Sequence, residues 1–323
     1  MRLSSSFEFP RQQARTLAKA RRRESYTLAY LASVILVMYL TMGSSQAMKT
    51  AWVEDVLSMV PPIVFLIAQR VAMRKPTTRF PFGYHRAMAI AFLCAALALT
   101  AVGGWLLVDA TVKLLKAEHA TIGGLTLFGT TFWQGWLMLP ALAWSAVPAF
   151  FFGRSKIPLA RDLHDKVLYT DAQMNKADWM TASAAMAGVV GVGMGVWWAD
   201  AGAAALISLS VLHDGVGNLR QVVYDLMDGA PKTVDRSEDH PLPKQVETLL
   251  RSVPWIEAAE VRMREEGHVF FGEAFVVPSD VQNLPAKLSQ VTRECLTLDW
   301  RLHDLVVVAV PSLDDEHQQI ERQ

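Results

Sequence analysis

Cysteine is nearly absent. Cys94 and Cys295 are the only two in 323 residues, one in an apolar run and one in a polar segment. That usage excludes a disulfide framework and a cysteine zinc cluster. No Cys-x-x-Cys occurs, so a chaperone-like thiol site is excluded as well. Net charge is also missing: 31 Lys and Arg balance 31 Asp and Glu, and the pI is near 7.1. A neutral chain carries no electrostatic footprint for nucleic acid. His-Glu-x-x-His is absent, and no Gly-x-Ser-x-Gly falls at an apolar run, so hydrolase chemistry has no anchor and the chain does not read as an enzyme. The basic start leads into a full-length apolar run without a small-residue cleavage site, so no secretory signal peptide is expected.

What the chain has is apolar length. Hydrophobic residues make up 52% and the mean hydropathy is +0.22, high for a soluble protein of this size. A bilayer crossing needs roughly 20 apolar residues. Runs at 25–48, 87–108, 130–152 and 179–198 meet that need. A run at 51–68 carries Glu54 and Asp55 near its start and Pro61-Pro62 in its middle, where a kink is expected. A sixth, 201–219, is interrupted by His213-Asp214. The segments at 1–24, 70–86 and 153–176 are basic, whereas those near 49, 113–120 and 200 are poor in Lys and Arg. This alternation fits six crossings with both termini in the cytoplasm.

Composition changes after Asp228. A polar linker at 232–242 precedes a helix (244–252), strands (258–264 and 268–277), a helix (284–296) and a strand (303–310). The expected fold class is therefore membrane all-α, six transmembrane helices followed by a small cytoplasmic α+β unit of order αββαβ. The domains are a basic cytoplasmic arm (1–24), a six-helix transmembrane domain (25–230), the cytoplasmic unit (231–313) and an acidic tail (314–323).

One stretch concentrates polar groups at an apolar run: Asp171-Ala172-Gln173-Met174-Asn175-Lys176-Ala177-Asp178. On a helix, Asp171, Met174 and Asp178 share a face. Ionisable groups inside a membrane bundle are costly and point to an ion or proton path. The plain alternative makes Asp171 a helix cap and Lys176 a headgroup contact.

Three motifs in order resemble the cation diffusion facilitator family. Arg79-Phe80-Pro81-Phe82-Gly83-Tyr84-His85-Arg86 is similar to its signature after the second span. The 171–178 stretch resembles its approach to the fifth. Trp197-Trp198-Ala199-Asp200, the sixth run and Leu226-Met227-Asp228 resemble its Trp-x-Asp, last span and Leu-Leu-Asp exit. The αββαβ unit fits the family's cytoplasmic domain, which resembles a metallochaperone. The resemblance implies a homodimeric exporter of divalent metal (zinc, iron, manganese, cobalt or similar) in exchange for protons. It implies a metal site of two side chains from the second span and two from the fifth, each pair spaced i, i+4. On this sequence these are Met174 and Asp178 with Glu54 and Ser58, or, one residue on, Asp55 and Met59.

The match departs from the family pattern where chemistry matters. Met174 stands in the place of the usual histidine, and Ser58 or Met59 in that of an acid. A thioether is soft and carries no proton, so antiport falls to Glu54, Asp55, Asp171 or Asp178. The plain reading of Met174 is a core methionine. His213, Asp214, His164 and His85 are candidates for a proton relay or metal uptake, each with a boundary or loop role as the plain alternative. The histidines of the C-terminal unit read more simply as solvated than as regulatory ligands. The reading is a multi-pass protein of a bacterial inner membrane. A membrane metal sensor or scaffold that has lost transport is the alternative.

Overall fold

Helix α1 spans Arg11–Thr41, so the basic residues expected to form an arm lie on one helix with the first apolar run. The computed structural model describes residues 7–117, 122–127 and 130–313. α1 stops at Thr41, short of the expected end at 48. Gly43 takes φ +50, a conformation that glycine adopts without a Cβ clash. Ser45 then caps the next helix, its Oγ accepting from the Met48 N–H at 3.2 Å. Lys49 therefore lies inside α2, Gln46–Leu57, rather than ending the first run.

The second apolar run is broken upstream of its prolines. α2 ends at Leu57, and α3 spans Val60–Ala72. Pro61 and Pro62 fall in the first turn of α3, where a missing N–H costs no intrahelical bond. The interruption sits instead at Ser58-Met59. α4 (Ala87–Leu115) follows, then an unanticipated antiparallel hairpin of β1 (Gly124–Leu127) and β2 (Thr130–Trp133). α5 (Gly135–Leu163), α6 (Lys166–Gly193) and α7 (Ala199–Leu226) complete the helical set. α6 starts thirteen positions before the expected span at 179, so the 171–178 stretch lies within a helix. Its cap is Asp165, which accepts from the Leu168 N–H at 2.9 Å, and not Asp171.

Among the described residues, four segments are long and apolar enough to cross a bilayer: Arg11–Thr41, Gln46–Ala72, Ala87–Leu115 and Gly135–Leu163. α6 and α7, 28 residues each, match them in length. Their interior polar residues, among them Asp171, Asn175 and Asp214, lower their hydropathy.

The described chain divides into two units. The larger holds Arg15–Gln69 and Ile90–Val223. Its core gathers Leu31, Val34, Met38, Met48, Met138, Leu142, Val189 and Ile207. Glycines let α4 and α7 approach closely. A Cβ on Gly103 would lie 2.9 Å from the Leu212 backbone nitrogen, and one on Gly215 2.8 Å from that of Thr100. Buried Asp200, at the start of α7, accepts from the Ser45 hydroxyl at 2.5 Å and from the Gln46 and Ala47 backbone N–H groups. It thus fixes the N-terminus of α2, where a negative charge also suits the helix dipole.

The smaller unit gathers the N-terminal residues up to Ala14, the Arg70–Ala89 connection and the chain from Tyr224 onward. It contains α8 (Leu242–Arg251), β3 (Ile256–Glu266), β4 (Val269–Pro278), α9 (Leu284–Leu296) and β5 (Leu302–Ala309). β3 and β4 pair antiparallel, β4 and β5 parallel, with β4 central. Leu242, Val246 and Leu250 of α8 pack with Val291 and Cys295 of α9 and with the sheet side chains Phe270, Ala274 and Val276. The acidic tail at 314–323 lies outside the described residues.

Asp200→Ala leaves buried donors of α2 unmatched. It is expected to lower stability by about 2–3 kcal/mol, read as a drop in the thermal midpoint of the purified protein in detergent. An unchanged midpoint would remove Asp200 as the anchor of α2.

Candidate functional site

The break in the second apolar run sets the site. Ser58 caps α2, its backbone N–H bonded to the Glu54 carbonyl at 2.8 Å. Its side chain is buried, and Ser58 Oγ has no hydrogen-bond partner. Beside it, from α6, lies Asp178, also buried, with Oδ2 unpartnered. Asp55 is buried one position beyond Glu54 and accepts from the Ser145 hydroxyl of α5 at 3.1 and 3.3 Å. Glu54 is half-buried, within electrostatic reach of Asp178, Asp55 and Asp214. Three helices thus bring carboxylates and hydroxyls to one buried locus.

Both registers of the second-span pair contribute to this locus. Asp55, Ser58 and Asp178 are its buried members, and Glu54 lies at its margin. Met174 and Met59 are half-buried and pack against the apolar core. Met174 lines a void of about 10 Å³ with Leu57, Val60, Pro61, Phe92 and Leu99. Its surroundings are those of a packing methionine. Among the described residues, no three His, Cys, Asp or Glu side chains are arranged to hold a metal ion.

Asp171 is engaged elsewhere. Its carboxylate pairs with the Lys156 ammonium of α5, which also lies 3.1 Å from Glu24 Oε2 of α1. The Asn175 amide donates to the Asp171 carbonyl at 2.8 Å and to Oδ1 at 3.1 Å. Lys156 and Glu24 are fully buried. Lys156 falls in the segment expected as a basic linker and Glu24 in the expected arm, yet both lie within helices, and Ser145 lies inside the fourth apolar run without a motif to mark it. A signal for Lys156 existed. The chain reverses at His164-Asp165, so positions similarly far on either side face each other in an antiparallel helix pair. Lys156 and Asp171 are such a pair.

The remaining candidates spread out. His213 is exposed and Asp214 half-buried on an uninterrupted α7. His164 is buried at the end of α5, in a left-handed conformation with φ 48, where it forms the turn into α6. His85 belongs to the smaller unit. Its ring lies 5.4 Å from that of His303 and 6.1 Å from that of Phe7, and Phe9 packs on His268 at 5.2 Å. His240 is buried rather than solvated, its Nδ1 accepting from the Leu242 N–H at 3.2 Å at the start of α8. Arg86, the last signature residue, bonds Asp228 and lies 3.3 Å from Glu266. Two motifs far apart in sequence meet there.

A family model described as the cation efflux transmembrane domain matches residues 25–227. No curated protein matches the chain.

Burial pushes the His85 imidazole down to about 4, and the neighbouring His303 and His268 add to the shift. The folded state therefore favours neutral His85. An unfolded chain binds that proton near pH 6.5. The stability from neutral His85 is whole above pH 6.5 and is lost as the pH falls from 6.5 towards 4. The loss is expected to reach up to about 3 kcal/mol. Thermal unfolding followed by circular dichroism across that window should show it, and His85→Gln should flatten the dependence. Equal slopes in both proteins would exclude His85 as the source.

Proposed function

The chain belongs to the cation efflux family, and on that premise we propose that it exports a divalent transition-metal cation from the cytoplasm by proton antiport. Membership makes it a multi-pass membrane transporter of metal cations rather than an enzyme. The finer reading places the cargo between the second and fifth spans. One observation carries it: Asp178 Oδ2 of α6 is a buried oxygen without a partner, and it lies beside buried Ser58 where the second span breaks. Such atoms in an apolar bundle are costly, and a ligand that supplies charge offsets the cost.

Asp178 supplies the principal charge and Ser58 a neutral oxygen, while Asp55 and Glu54 add charge nearby without completing a three-acid ligand set among the described residues. Met174 serves as packing. An oxygen-rich donor set suits the harder ions of the family's range, Mn²⁺ foremost. Each carboxylate holds either a proton or a share of the metal charge, so loading the ion releases protons. The Ser58-Met59 interruption gives the second span a joint at the ligand level, and irregular backbone at membrane depth is tolerated where it lines a site. Six spans, with α6 and α7 as the fifth and sixth, put both termini in the cytoplasm of a bacterial cell. The α+β unit supports a homodimer.

A second reading, a non-transporting metal sensor or scaffold, draws on Asp55 being tied to Ser145 and Met174 packing in an apolar void. Each leaves the site one ligand poorer.

In proteoliposomes with an imposed pH gradient, Asp178→Asn is expected to reduce Mn²⁺, Fe²⁺, Co²⁺ and Zn²⁺ flux to background. Met174→Ala should retain flux within a few-fold. Wild-type flux in Asp178→Asn would remove the residue from the mechanism. No flux of any of these ions by the native protein would leave the sensor reading.

A further inference from the structure

The buried triad of Glu24, Lys156 and Asp171 sets two carboxylates against one ammonium. All three side chains are at most 1% exposed. Acceptors exceed donors there. Glu24 Oε1 and Asn175 Oδ1 are both buried without a hydrogen-bond partner. The Asn175 amide bonds Asp171, so its oxygen lies within the same cluster. A cluster built only to join helices would satisfy its buried oxygens, because leaving them unmatched is costly. This one keeps two vacant oxygen acceptors.

Its place on α6 adds to the argument. Asp171, Asn175 and Asp178 follow i, i+4, i+7 on one helix face, about 10 Å from first to last. Asp171 is nearer the α5–α6 turn, and Lys156 is within electrostatic reach of Asp178. A lysine is a compact cation on a flexible four-carbon stem, able to leave and return.

We propose that Glu24, Asp171 and Asn175 form a second cation subsite on the approach to Asp178, which Lys156 occupies as a tethered plug and an incoming divalent ion displaces. The proposal rests on Asp178 being the transport site. Two carboxylates and an amide oxygen would take a hard divalent ion. Lys156 keeps the cluster closed when no ion is present, and the two vacant oxygens offer ligands to an ion that arrives. The plug thereby limits access to Asp178 to species that can outcompete an ammonium for two carboxylates.

Mn²⁺ binding to the full-length protein in detergent tests this by equilibrium dialysis and calorimetry. Lys156→Met is expected to bind one more Mn²⁺ per chain than the native protein. The extra ion should persist in Lys156→Met/Asp178→Asn and vanish on adding Asp171→Asn. A folded Lys156→Met/Asp178→Asn protein without that ion overturns the subsite. Failure of the transport reading shows separately, as native binding unaffected by Asp178→Asn. Should Lys156→Met not fold, Glu24→Gln decides. It keeps the Lys156–Asp171 ion pair but replaces one carboxylate of the subsite with a neutral amide, a weaker ligand for a divalent ion. It is expected to raise the KM for Mn²⁺ flux roughly three- to tenfold with kcat little changed, whereas a purely structural triad would lower the amount of folded protein and leave KM as it was.

Discussion

A carboxylate inside an apolar helix bundle must be matched by something, and that requirement orders the larger unit. Four of the buried aspartates meet it in different ways. Asp200 takes a hydroxyl and two backbone N–H groups at the head of α2. Asp171 takes the Lys156 ammonium, and Asp55 takes the Ser145 hydroxyl. Asp178 retains an unmatched oxygen. Leaving one charged oxygen unmatched costs free energy that folding alone does not return. The three satisfied groups hold helices in place, and the unsatisfied one is where the proposed cargo would add stability.

The same requirement explains why α2 is the fixed half of the second span. Its N-terminus is tied by Asp200 to the start of α7, and by Gln46 to Asp109 and Lys113 of α4 at 2.6 and 2.8 Å. Its C-terminus ends at Ser58. α3 restarts with prolines that tolerate the first turn. A span anchored at one end and jointed at Ser58-Met59 can move its second half without disturbing the anchored half. Glycine contacts between α4 and α7 keep the backbone around that anchor close-packed.

Much of this was legible in the sequence. The apolar runs located the helices because membrane length is a strong constraint, and the period of α9 located it to the residue. The spacing of Asp171, Met174 and Asp178 put them on one face. Helix ends were legible only where a cap was read. Gly43 to Ser45 were absorbed into an apolar run, so the first turn was missed, and Asp165 was passed over in favour of Asp171. Pro61-Pro62 drew attention from Ser58, because a proline's effect depends on its place in the helix and not on its presence. Lys156 and Ser145 were invisible to a linear reading. Their role arises from helix pairing, which sequence separation hides.

The family motifs divide along the same line between holding and binding. Asp200 of the Trp-x-Asp motif is a helix anchor. Arg86 of the signature and Asp228 of the exit form an ion pair within the smaller unit, joined by Glu266 and Arg264. None of these touches the locus around Asp178. Only the stretch at 171–178 reports on a cation path. There the replacement of histidine by Met174 removes a nitrogen ligand, while Glu24, Lys156 and Asn175 add charge and oxygen one step away. Family resemblance at the anchoring motifs therefore accounts for the scaffold, and on the proposed reading the choice of ion rests with oxygen donors that those motifs do not specify.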